Sequence, residues 1–256
     1  MSAFDLAAAV ELATQAHAGQ VDKAGEPYIG HPLRVMGRVD GERARMVAVL
    51  HDVLEDTPVT AADLLARGCP ADVVEAVDAL SKRPGESLED SMRRVAAVPL
   101  ALVVKRADLD DNTDPDRLAS LPPDVADRLR EKYRRSRALL GLAHVAREAE
   151  ALGYLNGTDF HVWHVPASLS SELVVLGLHG GNYTVWYRDM GQDRLVVRTP
   201  DLATARQEFL AELARLAAPR VRGPYAGATA PGRYDGMTRE QVYEAMQREG
   251  YFRDPV

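Results

Sequence analysis

The apolar residues of this chain change their spacing once, near Gly153, and that change limits the possible folds more than any other feature. From residue 2 to about residue 153 they recur every three or four positions, the period of a helix with one buried face. Beyond it they alternate every second position, the period of a half-buried strand. One layer cannot satisfy both periods, so the 256 residues are expected to form a multidomain α and α+β protein. The expected parts are an all-α helical bundle over 1–153, a small α+β domain with an antiparallel meander over 154–218, and a linker with a short terminal helix over 219–256.

Cap and turn residues subdivide these parts. Ser2 can cap the first helix, and Pro32, Pro70 and Pro99 occupy expected first helical positions. Thr60 and Ser87 are each followed three residues later by an aspartate, Asp63 and Asp90, in a capping-box pattern. These marks divide the first part into about seven helices. The central one should be 41–53, because Met46, Val47, Val49 and Leu50 run straight into His51-Asp52. A second buried helix is expected over 100–109. Strands are expected at 161–165, 173–178, 183–187 and 195–197, with hairpin turns at 179–182 and 190–193 and a helix over 201–216. The Gly-, Pro- and Arg-rich stretch 219–236 reads as a linker, and 238–249 as a short helix.

Charge and cysteine usage narrow the function classes. A net charge of −7 argues against a protein that neutralises nucleic-acid phosphates or coats an anionic membrane. With Cys69 as its one cysteine the chain can form no intrachain disulfide and no thiolate zinc cluster, which fits a reducing cytoplasm. The N-terminus lacks the basic region of a secretion signal, and no apolar run approaches the roughly 18 residues of a membrane span.

The chemistry is expected in the helical part. A His-acid pair such as His51-Asp52 should arise about once by chance in such a composition, but this pair ends an apolar helix and is followed by Glu55 and Asp56. On a continuous helix these acids would lie on the same faces as His51 and Asp52. Several acids at the end of a buried helix repel one another and lose hydration, and a divalent cation offsets that cost. Further ligands can be sought at His31, before a helix-starting proline, and at Asp108, at the polar end of an apolar run. Two imidazoles and two carboxylates without sulfur suit Mn²⁺, with Fe²⁺, Co²⁺ or Zn²⁺ as alternatives. Taken singly, His31 reads as a loop histidine, Asp108 as a surface acid, and Lys105 and Arg106 as a solvated edge.

Four ordered segments between about residues 13 and 121 resemble the HD hydrolase domain of RelA/SpoT-homologue proteins and small alarmone hydrolases. They are His17-Ala18-Gly19-Gln20 with Lys23-Ala24-Gly25-Glu26-Pro27-Tyr28-Ile29-Gly30-His31-Pro32, then Leu50-His51-Asp52-Val53-Leu54-Glu55-Asp56-Thr57, then Leu80-Ser81-Lys82, and Val104-Lys105-Arg106-Ala107-Asp108-Leu109-Asp110-Asp111-Asn112. The resemblance implies an HD-domain helical bundle with a metal held by His31, His51, Asp52 and Asp108. It implies that Glu55 and Asp56 assist the attacking water and the leaving group, and that Lys23, Lys105 and Asn112 bind substrate. The implied reaction removes the 3′-pyrophosphate of guanosine tetra- or pentaphosphate. An HD phosphohydrolase acting on another nucleotide and a non-catalytic nucleotide-binding regulatory module are the alternatives.

Two positions depart from the family pattern. Asp22 stands where alarmone hydrolases carry an arginine that stacks on the base, a contact no carboxylate supplies. Asp111 replaces a common histidine and adds negative charge beside the site. In the second domain His161, His164 and His179 share no ligand spacing and read as structural, Trp163 and Trp186 as core residues, and Arg220, Arg222 and Arg233 as solvated. Residues 154–256 carry no motif with a nameable chemistry, and self-association through this domain is one open role.

Overall fold

The computed structural model describes residues 4–22, 25–162, 172–189 and 192–217. Lys23, Trp163, His164, the turn at Met190-Gly191 and everything from residue 218, including the expected linker and helix 238–249, lie outside the described residues. The chain divides into two compact units, Met1–Glu148 with Val162–Pro166, and Ala149–His161 with Ala167–Val256.

Ten helices precede the sheet among the described residues, rather than about seven. They are α1 (Leu6–Ala16), α2 (Gly30–Gly37), α3 (Glu42–Leu50), α4 (Val53–Asp56), α5 (Ala61–Ala66), α6 (Ala71–Leu80), α7 (Leu88–Ala97), α8 (Pro99–Asn112), α9 (Pro115–Ala119) and α10 (Pro123–Ala151). The shortest are α4, α5 and α9, of four, six and five residues, too short to show a helical period, although the Thr60–Asp63 pair marks where α5 starts. Asp5 rather than Ser2 caps α1, accepting from the Ala8 N–H. Thr60 and Asp63 form the full capping box at α5, and Ser87 caps α7.

The prolines sit less uniformly than expected. Pro99 opens α8, but Pro70 is the cap residue of α6 and Pro32 is the third residue of α2. All three placements are tolerated because the first turn's N–H groups have no intrahelical acceptor. His31 therefore lies inside a helix rather than before one.

The core of the first unit surrounds α3. Met46, Val47, Ala48, Val49 and Leu50 are all buried, so the second half of this helix is apolar on every side, and the helix packs against α1, α2, α6 and α8. Each fully buried Val or Leu contributes about 1.5–3 kcal/mol. The expected continuous helix 41–53 does not form. α3 ends at Leu50, His51-Asp52 make a turn, and α4 resumes at Val53. The His51 Nδ1 lies 2.7 Å from the Ala48 carbonyl and so takes an oxygen that the helical ladder would otherwise use.

The second unit carries a four-stranded sheet in the order β1-β2-β3-β4, formed by Phe160–Val162, Glu172–His179, Asn182–Asp189 and Gln192–Thr199. β2 and β3 pair antiparallel from Glu172↔Asp189 to His179↔Asn182, and β3 and β4 are also antiparallel. Gly180 and Gly181 make the first hairpin with φ of 55° and 78°. Two successive positive φ values define the tight turn whose twist matches paired strands, and glycine adopts them without strain. Helix α11 (Leu202–Ala217) covers β2, β3 and β4, with Phe209 edge-on to Phe160 at 5.7 Å between ring centres. Trp186 does not fill this core as expected. It is half buried and sits edge-on to His179 at 5.5 Å.

Candidate metal centre

Three elements bring His31, His51 and Asp108 together. α2 contributes His31 from its first turn, the turn after α3 contributes His51, and α8 contributes Asp108. α2, α3 and α8 pack on one another, so residues 77 positions apart in sequence become neighbours, and all three side chains are buried. One ligand atom from each lies within 4.8 Å of the other two. His31 Nε2 is 3.2 Å from an Asp108 carboxylate oxygen, and His51 Nε2 is 3.8 Å from the same oxygen. Asp52 closes on the group from the side: its Oδ2 is 3.1 Å from His51 Nε2 and 3.8 Å from His31 Nε2.

The donor set fits a divalent cation. His51 Nε2 is fully buried, and among the described residues it has no hydrogen-bond partner, although Asp52 is near enough for charge attraction. An imidazole nitrogen buried without a partner is costly, and coordination to a metal would satisfy it. Its other nitrogen, held by the Ala48 carbonyl, fixes the ring. His31, His51 and Asp108 thus form a group able to hold a divalent ion.

Electrostatics bind the same groups to one another. Burial alone would lower the His51 pKa, but the adjacent Asp52 and then Asp108 outweigh it and push it up to about 9. Burial likewise opposes charge on His31, and the hydrogen bonds its ring donates to Asp108 and Asp111 raise its pKa nevertheless. Asp52 and Asp108 are held far below the usual carboxylate range despite burial, Asp52 chiefly by His51 and Asp108 by Lys105 and the two histidines.

The remaining expected site residues line this group unevenly. Glu55 and Asp56 lie on α4 just after the turn. There the Asp56 N–H donates to the Asp52 carbonyl at 2.9 Å and Tyr28 reaches both Asp52 and Asp56, so these two acids keep to one side as expected. Glu55 accepts from the Lys82 backbone N–H at 3.1 Å and from its ammonium. Asp56 is exposed at the rim. Its pKa is raised by partial burial and by the charges of Asp52 and Glu55. Lys105 and Asn112, expected to bind substrate, both donate to Asp108, Lys105 at 2.8 Å and Asn112 at 2.5 Å. They lie one turn to either side of it on the same face of α8.

Sequence reasoning assigned no role to several residues that shape the site. The Tyr28 hydroxyl donates to Asp52 at 2.6 Å and lies 3.2 Å from an Asp56 oxygen. Burial and those two acids keep its phenol protonated. Gln20 donates to the Asp56 carbonyl at 2.8 Å and is itself held by His17, which gives the first resemblance segment a mechanical task. Asp111 is not a stray charge beside the site but a fully buried partner of His31. Asp22 accepts from the Glu26 N–H at 3.1 Å and lies 3.9 Å from Arg117, so it organises its own loop. A separate cleft bordered by Phe4, Arg43, Met46, Leu65, Arg67 and Pro70 includes none of the expected site residues.

Comparison with known proteins finds similarity over part of the chain. The chain is 35% identical over 161 residues to a guanosine-3′,5′-bis(diphosphate) 3′-pyrophosphohydrolase of Haemophilus influenzae, covering 56% of this chain and 24% of that one. It is 35% identical over 162 residues to the bifunctional (p)ppGpp synthase/hydrolase SpoT of Escherichia coli K12, covering 56% and 23%. The resemblance is to SpoT-type hydrolases. A GTP pyrophosphokinase of Myxococcus xanthus matches at 41% identity over 73 residues, or 26% of this chain and 10% of that one. The chain spans about a quarter of the length of the first two relatives. No family model matches. Among solved structures, "A metazoan ortholog of SpoT hydrolyzes ppGpp and plays a role in starvation responses" aligns with a TM-score of 0.45 and 22% identity, covering 54% of this chain and 84% of that one.

Proposed function

We propose that residues 1–153 form an HD-type metal-dependent phosphohydrolase that removes the 3′-pyrophosphate of (p)ppGpp, giving GDP or GTP and pyrophosphate. The observation that carries this reading is the buried convergence of one ligand atom each from His31, His51 and Asp108, with Asp52 3.1 Å from the same His51 nitrogen. His31, His51, Asp52 and Asp108 would hold the ion, Mn²⁺ by preference for an N₂O₂ set. A divalent ion bound there would lower the pKa of a coordinated water and screen phosphate charge.

The chain's own residues divide the remaining work. Breaking the bond between the ribose 3′ oxygen and phosphorus requires a proton for that oxygen and an acceptor for the proton of the attacking water. Asp56, with its raised pKa, suits the donor, since an acid titrating nearer neutrality both holds and releases its proton. Glu55 is the acceptor, with Lys82 beside it to balance charge. Tyr28 holds Asp52 in place between the histidines and Asp56. Lys105 and Asn112 reach substrate from the positions where they brace Asp108, and Lys23 is assigned to substrate by resemblance alone.

The test is incubation of the purified full chain with Mn²⁺ and ppGpp, with GDP and pyrophosphate as the expected products. The placement of Asp22 within its loop favours one second reading, hydrolysis of another nucleotide at the same site. Turnover of a nucleotide panel without turnover of ppGpp would select it, and tight nucleotide binding without product would select the regulatory module.

A further inference from the structure

The His31 ring is held between two carboxylates of one helix. Asp108 approaches Nε2 at 3.2 Å, and Asp111, three residues on along the same face of α8, meets Nδ1 at 2.8 Å. Asp111 is completely buried, yet it stands among cations: Arg34 Nε donates at 3.0 Å, Arg38 lies 3.5 Å away, and Arg117 donates to the oxygen that faces His31. Those guanidiniums come from α2 and α9, so Asp111 joins three helices at the back of one candidate ligand.

We propose that Asp111 is the positioning residue of the metal centre: it accepts the His31 Nδ1–H, fixes that tautomer and leaves the Nε2 lone pair toward His51 and Asp108. The inference rests on the proposed metal centre but not on the identity of the nucleotide. It follows from the chemistry of imidazole. A neutral ring has one N–H and one lone pair. Asp111 at 2.8 Å is nearer to Nδ1 than Asp108 at 3.2 Å is to Nε2 or Arg117 at 3.4 Å is to Nδ1. When a cation takes Nε2 beside Asp108, Asp111 is therefore the acceptor that holds the N–H on Nδ1. Arg34 and Arg117 donate to the same carboxylate and so fix its orientation toward the ring. Arg117 also approaches Asp22, which links the orientation of His31 to the loop at residues 22–26.

The substitution Asp111→Asn keeps the shape but removes the charge and can offer its amide N–H₂ to the ring. In the full chain the expected result is a Mn²⁺ affinity weakened about 10- to 100-fold, a shifted Co²⁺ d–d spectrum, and a mixture of His31 tautomers in ¹⁵N NMR of the Zn²⁺-free protein above pH 9. Unchanged metal affinity with a single tautomer would overturn the proposal. Should the variant not fold, the unsubstituted Zn²⁺-loaded protein decides by the same NMR measurement: metal on Nε2 with a protonated Nδ1 supports it, and metal on Nδ1 overturns it. A protein that binds no divalent ion overturns both this inference and the metal centre. Failure to turn over ppGpp with these readouts intact sinks only the alarmone reading.

Discussion

Both units bury carboxylates, and the two sets are partnered differently. In the second unit Glu212 is buried on α11 and accepts from Arg194 and Arg215, whose guanidiniums also lie 5.4 Å and 5.9 Å from the Tyr187 ring. Every charge there has a partner and the cluster is closed. In the first unit Asp111 is closed in the same way by arginines, but one helical turn away Asp108 and two histidines converge with their ligand atoms within 4.8 Å of one another, a geometry a cation could bridge. Polar burial that serves stability is saturated, whereas polar burial that serves binding leaves capacity unused.

The comparison can be broken most directly at Asp108. Asp108→Ala should abolish retention of Mn²⁺ and reduce GDP release from ppGpp to background, read by metal analysis and product assay together. A variant that keeps both would remove Asp108 from the centre. Next in size, Asp56→Asn should keep the metal and lower kcat by about 10²- to 10⁴-fold, because it deletes a proton donor and no ligand. Loss of metal in that variant would move Asp56 into the ligand set.

Proton competition gives a smaller effect. A metal requires the neutral imidazole, and His51 is pushed up to about 9 in the metal-free site. Mn²⁺ affinity should therefore rise about tenfold per pH unit between pH 7 and 9 for each proton displaced, then level off. Titration calorimetry in buffers of different ionisation enthalpy counts that proton, and a flat profile would mean the imidazoles are already neutral. The smallest effect belongs to the closed cluster. Glu212→Gln should cost about 1–2 kcal/mol of unfolding free energy and leave metal binding untouched. The Glu212 pKa is lowered in the folded chain, so its contribution is full above the unfolded value of about 4.3 and is lost as pH falls through the folded one. Denaturant titrations at pH 7 and pH 3 should thus differ less for the variant than for the parent.

Much of this was readable before any coordinates. The change of period separated the helical part from the α+β part, and the strands and α11 fall within a few residues of their expected places. His31, His51, Asp52 and Asp108 could be named because each stood in a segment with recognisable neighbours. Asp111 and Tyr28 could not be weighed, because their partners are remote in sequence: Arg34 is 77 positions from Asp111 and Asp52 is 24 from Tyr28. The break at His51-Asp52 was hidden for a different reason. No glycine or proline marks it, and it falls where the His51 side chain meets the Ala48 carbonyl.

That break has a consequence for how this stretch can vary. A helix turns about 100° per residue, so without it His51, Asp52, Glu55 and Asp56 would be fixed to the bearings of one continuous spiral. The turn interrupts the ladder but keeps His51 and Asp52 in right-handed helical dihedrals, so the segment from Ala48 to Asp56 is a spacer of fixed count. Its apolar members can be exchanged for others of similar volume. An insertion or deletion of a single position would swing every later acid away from the histidines.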